Sequence, residues 1–99
     1  MNNLYLITRS PFQRTEGATN ISLSDRDDGL AFLQDGVLIA KSSPEWLKEE
    51  MEKAKERGVK FYLLKEDLEA RGLESPEGFD VVDYDGFSDL ILSYKRIIS

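Results

Sequence analysis

Short apolar, strand-like runs alternate with helix signals along the chain, and this alternation limits the fold more than any other feature. The runs cover residues 3–8, 30–34, 59–64 and 79–83. Strands that alternate with helices are joined by right-handed crossovers and form a mostly parallel sheet with helices on both faces. The sequence therefore predicts an α/β protein, a three-layer α/β/α sandwich with a four- to five-stranded sheet.

The first two helices are predicted from capping and breaking residues. Ser10 and Pro11 suit the N-cap and the first position of a helix. Weak helix formers follow, so we expect this helix to be short or irregular and to fade near residues 21–23. A longer helix should open at residues 42–44 and stop at Gly58, because glycine commonly ends helices in the left-handed conformation.

Two more helices and a final strand complete the predicted order. Residues 66–71 should form a short helix. Asp85 is expected to cap the last helix, whose apolar residues recur at the spacing of one helical face. These residues are Phe87, Leu90, Ile91 and Tyr94. Beyond them, residues 97–98 are expected to add an edge strand or to pack in an interface.

Length and composition are those of one globular domain. The chain has 99 residues, of which 40% are hydrophobic and 32% are charged, so we expect a single domain over residues 1–99. No apolar run approaches the roughly 20 residues that a membrane-spanning helix needs. The N-terminus lacks a basic segment followed by an apolar stretch, so no secretory signal is expected.

Two residue types are missing, and their absence excludes several kinds of chemistry. Without cysteine the chain cannot form a disulfide, a thiolate nucleophile, a persulfide or an iron–sulfur site. Without histidine it lacks the commonest general base and transition-metal ligand. Carboxylates, lysines, tyrosines and hydroxyls remain for catalysis, so a stand-alone enzyme is disfavoured but not excluded; we expect no enzyme activity, no metal and no cofactor. The net charge of −6 also disfavours direct binding of nucleic acid.

Candidate functional residues follow the predicted strands, since ligands of open parallel sheets bind beyond the carboxyl ends of the strands. Arg9 and Ser10 follow the first strand, where a helix N-terminus could bind an anion. Alternatively, Ser10 only caps the helix and Arg9 is solvated. Asp35 and Gly36 follow the second strand and are expected to form a turn, with the Asp35 carboxylate capping the next segment. An anion site and a subunit interface both remain possible here.

Two other site types are weighed and rejected. Asp35 resembles the phosphoacceptor of a receiver domain, but the acidic pair expected after the first strand is replaced by Arg9 and Ser10. Asp25, Asp27 and Asp28 suggest a calcium loop, but the downstream bidentate glutamate is missing at the required position. We expect this acidic segment to be a solvated loop.

Four motifs, taken together, resemble the DsrH/TusB family of sulfur-relay subunits. In chain order they are Ser10-Pro11-Phe12, Leu33-Gln34-Asp35-Gly36-Val37, Tyr62-Leu63-Leu64 with the segment from Glu66 to Leu73, and Val82-Asp83-Tyr84-Asp85-Gly86-Phe87 with Asp89-Leu90. The resemblance extends from Leu4 to about Leu92. It implies a DsrE-like fold and a cytoplasmic protein that works beside related subunits in an oligomer.

The resemblance also implies a function and partners. TusB-like members belong to a complex that passes persulfide sulfur toward 2-thiouridine at tRNA wobble positions, and DsrH-like members to a complex of dissimilatory sulfur oxidation. The main sulfur-carrying cysteine lies on a DsrE/TusD-like subunit, and a DsrF/TusC-like subunit is a further partner. Some DsrH-like members have their own cysteine near the position of Asn20, which this chain lacks.

The first hypothesis is therefore a non-catalytic subunit of a sulfur-relay complex. In it, Arg9 and Ser10 form a wall or anion site, Asp35 and Gly36 shape the adjacent turn, and Tyr84 and Phe87 contact a neighbouring chain. The simpler explanation of Phe87 is a place in the core. The alternative is a stand-alone, homo-oligomeric protein that binds a small ligand or anion at the same face.

Overall fold

The structure, a computed structural model, describes residues 2–8, 21, 24–41 and 45–98. Five strands and four helical segments lie within these ranges. In chain order they are β1 (Asn3–Ile7), β2 (Gly29–Phe32), a 3₁₀ helix (Gln34–Ala40), α1 (Glu45–Glu56), β3 (Lys60–Leu64), α2 (Lys65–Ala70), β4 (Asp80–Val82), α3 (Tyr84–Ser93) and β5 (Arg96–Ile98). None of the described helices is long and apolar enough to cross a membrane.

The five described strands form one parallel sheet in the order β4-β3-β2-β1-β5. Each predicted strand is present with its ends moved by one or two residues: β2 begins one residue earlier and ends two residues earlier than predicted, and the other three are shorter at one or both ends. The final strand is the edge strand expected at residues 97–98, and it pairs with β1 through Leu4 and Ile97. The predicted α/β class and mostly parallel sheet are therefore confirmed.

The first face of the sheet carries the larger core cluster. Side chains of alternate strand positions, among them Phe32 and Phe61, pack against Leu47 and Met51 of α1 and against Leu68 of α2. Because side chains alternate between the faces of a strand, these positions are two residues apart along each strand. All four residues of β2 are buried, as expected for an inner strand of a parallel sheet.

The second face carries a smaller cluster under a single described helix. Leu4, Ala31 and Tyr62 project from the sheet, and the apolar stripe of α3 covers them. That stripe is the one predicted, namely Phe87, Leu90, Ile91 and the following Tyr94. The helices on opposite faces complete the three-layer sandwich.

Local capping differs from the prediction at two places. The carboxylate of Asp83, not that of Asp85, caps α3, because its Oδ1 accepts the backbone N–H of Gly86 at 2.7 Å. After β2 the chain forms a 3₁₀ helix without a side-chain cap, so Asp35 does not cap the next segment. The helix predicted to start at Pro11 lies outside the described residues.

The acidic loop before β2 is not uniformly solvated. Asp25 and Asp27 are exposed, but Asp28 is only 2% exposed. The two carboxylate oxygens of Asp28 accept the backbone N–H groups of Asn3 and Asp25, each at 2.9 Å. Asp28 therefore ties the start of β1 to the loop. Among the described residues no cluster of acidic side chains could hold a metal ion.

Candidate functional site at the carboxyl ends of the strands

The turn after β2 is pressed against the end of β1. The carbonyl of Ile7 accepts the backbone N–H of Leu33 at 2.9 Å, and Gly36 lies against the same carbonyl. A Cβ atom on Gly36 would overlap with this oxygen and would lie 2.9 Å from the carbonyl carbon. Gly36 therefore allows the 3₁₀ helix to begin directly beside β1.

An ion-pair network joins this turn to α2. The guanidinium of Arg71 donates to Asp35 Oδ1 at 3.0 Å and lies 3.8 Å from Asp67 Oδ1. The other oxygen of Asp67 accepts the backbone N–H of Gln34 at 2.6 Å. Gln34 has a φ of 51°, a strained left-handed conformation for a residue with a side chain. Asp67 thus stabilises an unusual backbone turn, and Arg71 links the two carboxylates.

At the carboxyl ends of the strands, a region that we call the strand-end edge, a second contact joins α2 to α3. Glu66 Oε2 accepts the backbone N–H of Tyr84 at 3.4 Å, a long hydrogen bond. Glu66 Oε1 is buried without a hydrogen-bond partner among the described residues. The Tyr84 side chain is 59% exposed, whereas Phe87 packs partly buried on the second cluster.

The described part of this edge is predominantly acidic. Arg71 and Lys65 are its basic residues, and Arg71 is already paired with two carboxylates. The acidic residues are Asp35, Glu66, Asp67, Asp83 and Asp85. Arg9, Ser10 and Asn20 lie outside the described residues, so the proposed anion site beside Arg9 remains a prediction. Asp35 and Gly36 do lie together, and Tyr84 and Phe87 begin the neighbouring helix.

Away from this edge, described residues line two cavities. One, of about 500 Å³, is a groove beside α1 with Met51 and Phe79 in its lining and with Lys48 and Lys55 at its walls. The Nζ atom of Lys55 lies 5.5 Å from the ring centroid of Phe61. The other, of about 240 Å³, lies near the amino ends of the strands. Neither cavity contains a strand-end residue predicted from the sequence.

A pair of tyrosines lines the smaller cavity. The hydroxyl groups of Tyr62 and Tyr94 lie 3.3 Å apart. Burial raises the pKa of Tyr94 well above its usual range, and the hydrogen bond to Tyr62 and the nearby carboxylate of Asp28 act in the same direction. The ring of Tyr94 lies over Gly29, where an added Cβ would be 2.5 Å from the hydroxyl oxygen.

We expect Tyr94→Phe to reduce the loss of stability at alkaline pH. A raised pKa in the folded state keeps the Tyr94 proton bound, so the free energy of unfolding falls once the unfolded tyrosine ionises above about pH 10. Without the hydroxyl, Tyr94 no longer contributes to this fall in the free energy of unfolding at alkaline pH. Urea titrations from neutral to alkaline pH measure it, with the exposed Tyr84→Phe as matched control. An equal pH dependence in wild type and Tyr94→Phe would contradict the expectation.

The fold defines the class of protein to which this chain belongs. A crystal structure of the ychN protein of Escherichia coli matches with a TM-score of 0.74, 16% identity and coverage of 99% of this chain and 97% of that chain. The solution structure of protein Tm0979 from Thermotoga maritima matches with a TM-score of 0.61, 25% identity and 91% coverage of both chains. The chain has the DsrE-like α/β fold.

Sequence comparison narrows the class to one family. The model of the family described as DsrH like protein matches residues 9–97, so the chain belongs to the DsrH-like family. It is 36% identical over 95 residues to Protein TusB of Buchnera aphidicola, with 94% of this chain and 95% of that protein covered. Protein TusB of Photorhabdus laumondii is 34% identical with the same coverage. The expected DsrH/TusB family of sulfur-relay subunits is confirmed.

Sequence reasoning missed the residues that hold the edge together. Asp67 and Arg71 are spaced i, i+4 on α2, a spacing that predicts an ion pair. That signal does not reveal the contacts with Gln34 and Asp35, which are more than 30 positions away. These contacts exist because β2 and β3 are neighbours and their carboxyl ends meet.

Proposed function

We propose that this chain is a non-catalytic subunit of a cytoplasmic sulfur-relay complex that serves 2-thiolation of tRNA wobble uridines. The similarity to proteins named TusB, over nearly their whole length, supports the tRNA pathway over sulfur oxidation. Membership of the DsrH-like family supports work beside related subunits.

One observation carries the non-catalytic part of this proposal: the chain contains no cysteine. A persulfide forms only on a thiol, and amides and hydroxyls cannot replace it. The sulfur atom therefore travels on a cysteine of another subunit, of the DsrE/TusD-like kind. This chain and a DsrF/TusC-like subunit complete the assembly around that cysteine.

The edge at the carboxyl ends of the strands is the surface that we propose for these partners. Its backbone is fixed by Gly36 and by the network of Asp35, Asp67 and Arg71, so it offers a rigid surface. Tyr84 projects from it with an exposed aromatic ring, and tyrosines are enriched among the residues that dominate binding at protein interfaces. Phe87, three residues further along α3, packs partly buried on the second core cluster, and Arg9 and Ser10 follow β1 in the sequence as the predicted wall or anion site.

Deletion of the gene in its native host tests the pathway. We expect 2-thiouridine to disappear from the tRNAs that carry it, measured by mass spectrometry of tRNA nucleosides, and to return with the wild-type gene on a plasmid. Unchanged 2-thiouridine, or a lone chain in affinity purification from the host, would contradict the proposal.

A second measurement tests the surface. Tyr84→Ala should reduce recovery of the partner subunits by about tenfold, the effect of losing one dominant interface side chain of about 1.4 kcal/mol. Glu49→Ala, exposed on α1 at the other face of the sheet, is the control and should leave recovery unchanged. The fold of each variant is checked by circular dichroism. Equal recovery with both variants would remove Tyr84 from the interface.

Labelled sulfane sulfur tests the absence of a carrier role. The purified chain should retain no covalent label after denaturation, whereas a cysteine-bearing partner should retain it. Covalent label on this chain would refute the non-catalytic part of the proposal directly.

A further inference from the structure

Within the part of the chain that the structure describes, one face of the sheet is covered by a single helix. From β1 to β4 each step adds a strand on the same side of the previous one. Right-handed crossovers place all three connections on one face, where Ile21, α1 and Leu68 of α2 pack. The connection from β4 back to β5 crosses the whole sheet on the other face, and α3 is its helix.

A single helix is too narrow for this face. Five strands spaced about 4.8 Å apart make a sheet roughly 20 Å wide, whereas a helix with its side chains is about 10 Å across. No residue of α3 is fully buried. Leu6, on the inner strand β1, is only partly buried. Ile97 lies on the same face as its neighbour Leu4 and is 40% exposed.

The outer side of α3 carries a large apolar residue. Leu92 is 84% exposed, the highest value among the exposed large hydrophobic residues of the described chain. It lies about 150° around the helix from the centre of the stripe that packs on the sheet, at the helical rotation of about 100° per residue. Leu92 therefore points away from the sheet, while Leu6 and Ile97 form an apolar notch beside α3 that the described residues cover only in part.

The charges along α3 are divided between its two ends. The exposed residues Asp85 and Asp89 lie toward its start, and the exposed residues Lys95 and Arg96 follow its end. If two copies pack with antiparallel α3 helices about a two-fold axis, the acidic half of each helix faces the basic end of the other. A two-fold interface is self-complementary in this way, with each contact occurring twice.

We propose that the occupant of this α3 face is a second copy of the same chain. Leu92 of each copy packs on the notch of Leu6 and Ile97 of the other, and Asp85 and Asp89 face Lys95 and Arg96 across the two-fold axis. The face of each sheet then becomes fully covered. This inference does not rest on the proposed function, because it concerns the chain on its own and is carried by the outer side of α3 and by the neighbouring strands β1 and β5; Asp85 is the one residue that also belongs to the strand-end edge.

Sedimentation velocity of the purified chain over a wide concentration range provides the first test. We expect a concentration-dependent dimer whose dissociation constant rises at least about tenfold in Leu92→Glu, a change of about 1.4 kcal/mol. Trp46→Glu is the matched control, since Trp46 is 48% exposed but belongs to α1 on the opposite face. The control should dimerise like the wild type.

Charge exchange provides the second test and is independent of folding defects. A variant with Asp85→Lys and Asp89→Lys carries basic residues at both ends of α3, and a variant with Lys95→Glu and Arg96→Glu carries acidic residues at both ends. Each should fail to dimerise alone, and an equimolar mixture should recover the dimer, because like charges repel and opposite charges attract across the interface. The recovered dimer should weaken as salt is added.

Three results would overturn the inference: a wild-type chain that stays monomeric at all concentrations, a dimer insensitive to Leu92→Glu, or a dimer lost in Trp46→Glu but not in the α3 variants. A monomer that still recovers partner subunits from the host would refute the second copy and leave the proposed function intact. A dimer that recovers no partner subunits from the host would support the second copy and contradict the proposed function.

Discussion

Gly36→Ala is expected to lower the free energy of unfolding by about 3 kcal/mol, since overpacking against a fixed neighbour costs roughly 1–3 kcal/mol and the neighbour here is backbone. The added methyl group would meet the carbonyl oxygen of Ile7, which already accepts the N–H of Leu33. Moving that carbonyl would break the pairing of β1 with β2. A single domain of this size would lose roughly 15 °C in Tm, measured by thermal unfolding.

Gly72→Ala separates this steric effect from backbone strain. Gly72 has a φ of +64°, but an added Cβ there would find no atom within 4 Å. We expect a cost of about 1 kcal/mol, the usual penalty for a side chain in the left-handed region. If the two variants were equally stable, the close approach of Gly36 to β1 would not be a constraint on the fold. The same Gly36→Ala change should also reduce recovery of partner subunits if the strand-end edge binds them.

The general fold could be predicted because it depends on local patterns. The apolar stripe of α3 and the buried run of β2 each specify an element from a few neighbouring residues. Alternation of such elements then leaves few topologies, since crossovers are right-handed. The edge strand β5 was predictable only as an alternative, because two apolar residues at the end of a chain suit a strand or an interface equally.

Capping and charge pairing were less predictable because several acidic residues compete for each role. Asp83 and Asp85 both precede the stripe of α3, and the start of the helix at Tyr84 decides that Asp83 is the cap. Asp35 had two possible partners, a nearby N–H and a distant cation. The distant cation, Arg71, is brought close by the pairing of neighbouring strands, which no local spacing encodes.

The same limitation explains why Asp28 was assigned to a solvated loop. Its neighbours Asp25 and Asp27 are exposed, and the local sequence gives no sign that Asp28 differs from them. One of its two hydrogen-bond donors, the N–H of Asn3, is 25 positions away in the chain. Burial of one carboxylate in a polar segment therefore follows from the sheet, because β1 and β2 begin side by side.

Asp28→Ala is expected to destabilise the protein by roughly 3 kcal/mol, because hydrogen bonds to a charged acceptor contribute about 1.5–3 kcal/mol and two backbone donors lose their partner. These donors, the N–H groups of Asn3 and Asp25, lie at the start of the sheet, where water replaces the carboxylate only in part. Asp28→Asn should cost less, since its amide oxygen still accepts one of the two bonds. Urea titration at neutral pH measures both.

The control for Asp28 removes a carboxylate without removing a buried acceptor. Glu69→Ala, at an exposed position of α2, should change the free energy of unfolding by no more than about 0.5 kcal/mol. Hydrogen exchange locates the effect in the structure. The amide of Asn3 should exchange faster in Asp28→Ala than in the wild type, whereas the amides of β3 that are distant from the loop should keep the same relative order of exchange rates. An Asp28→Ala protein as stable as Glu69→Ala would mean that the tie between β1 and the acidic loop contributes nothing to folding, and that the sheet positions β1 through its strand pairing alone.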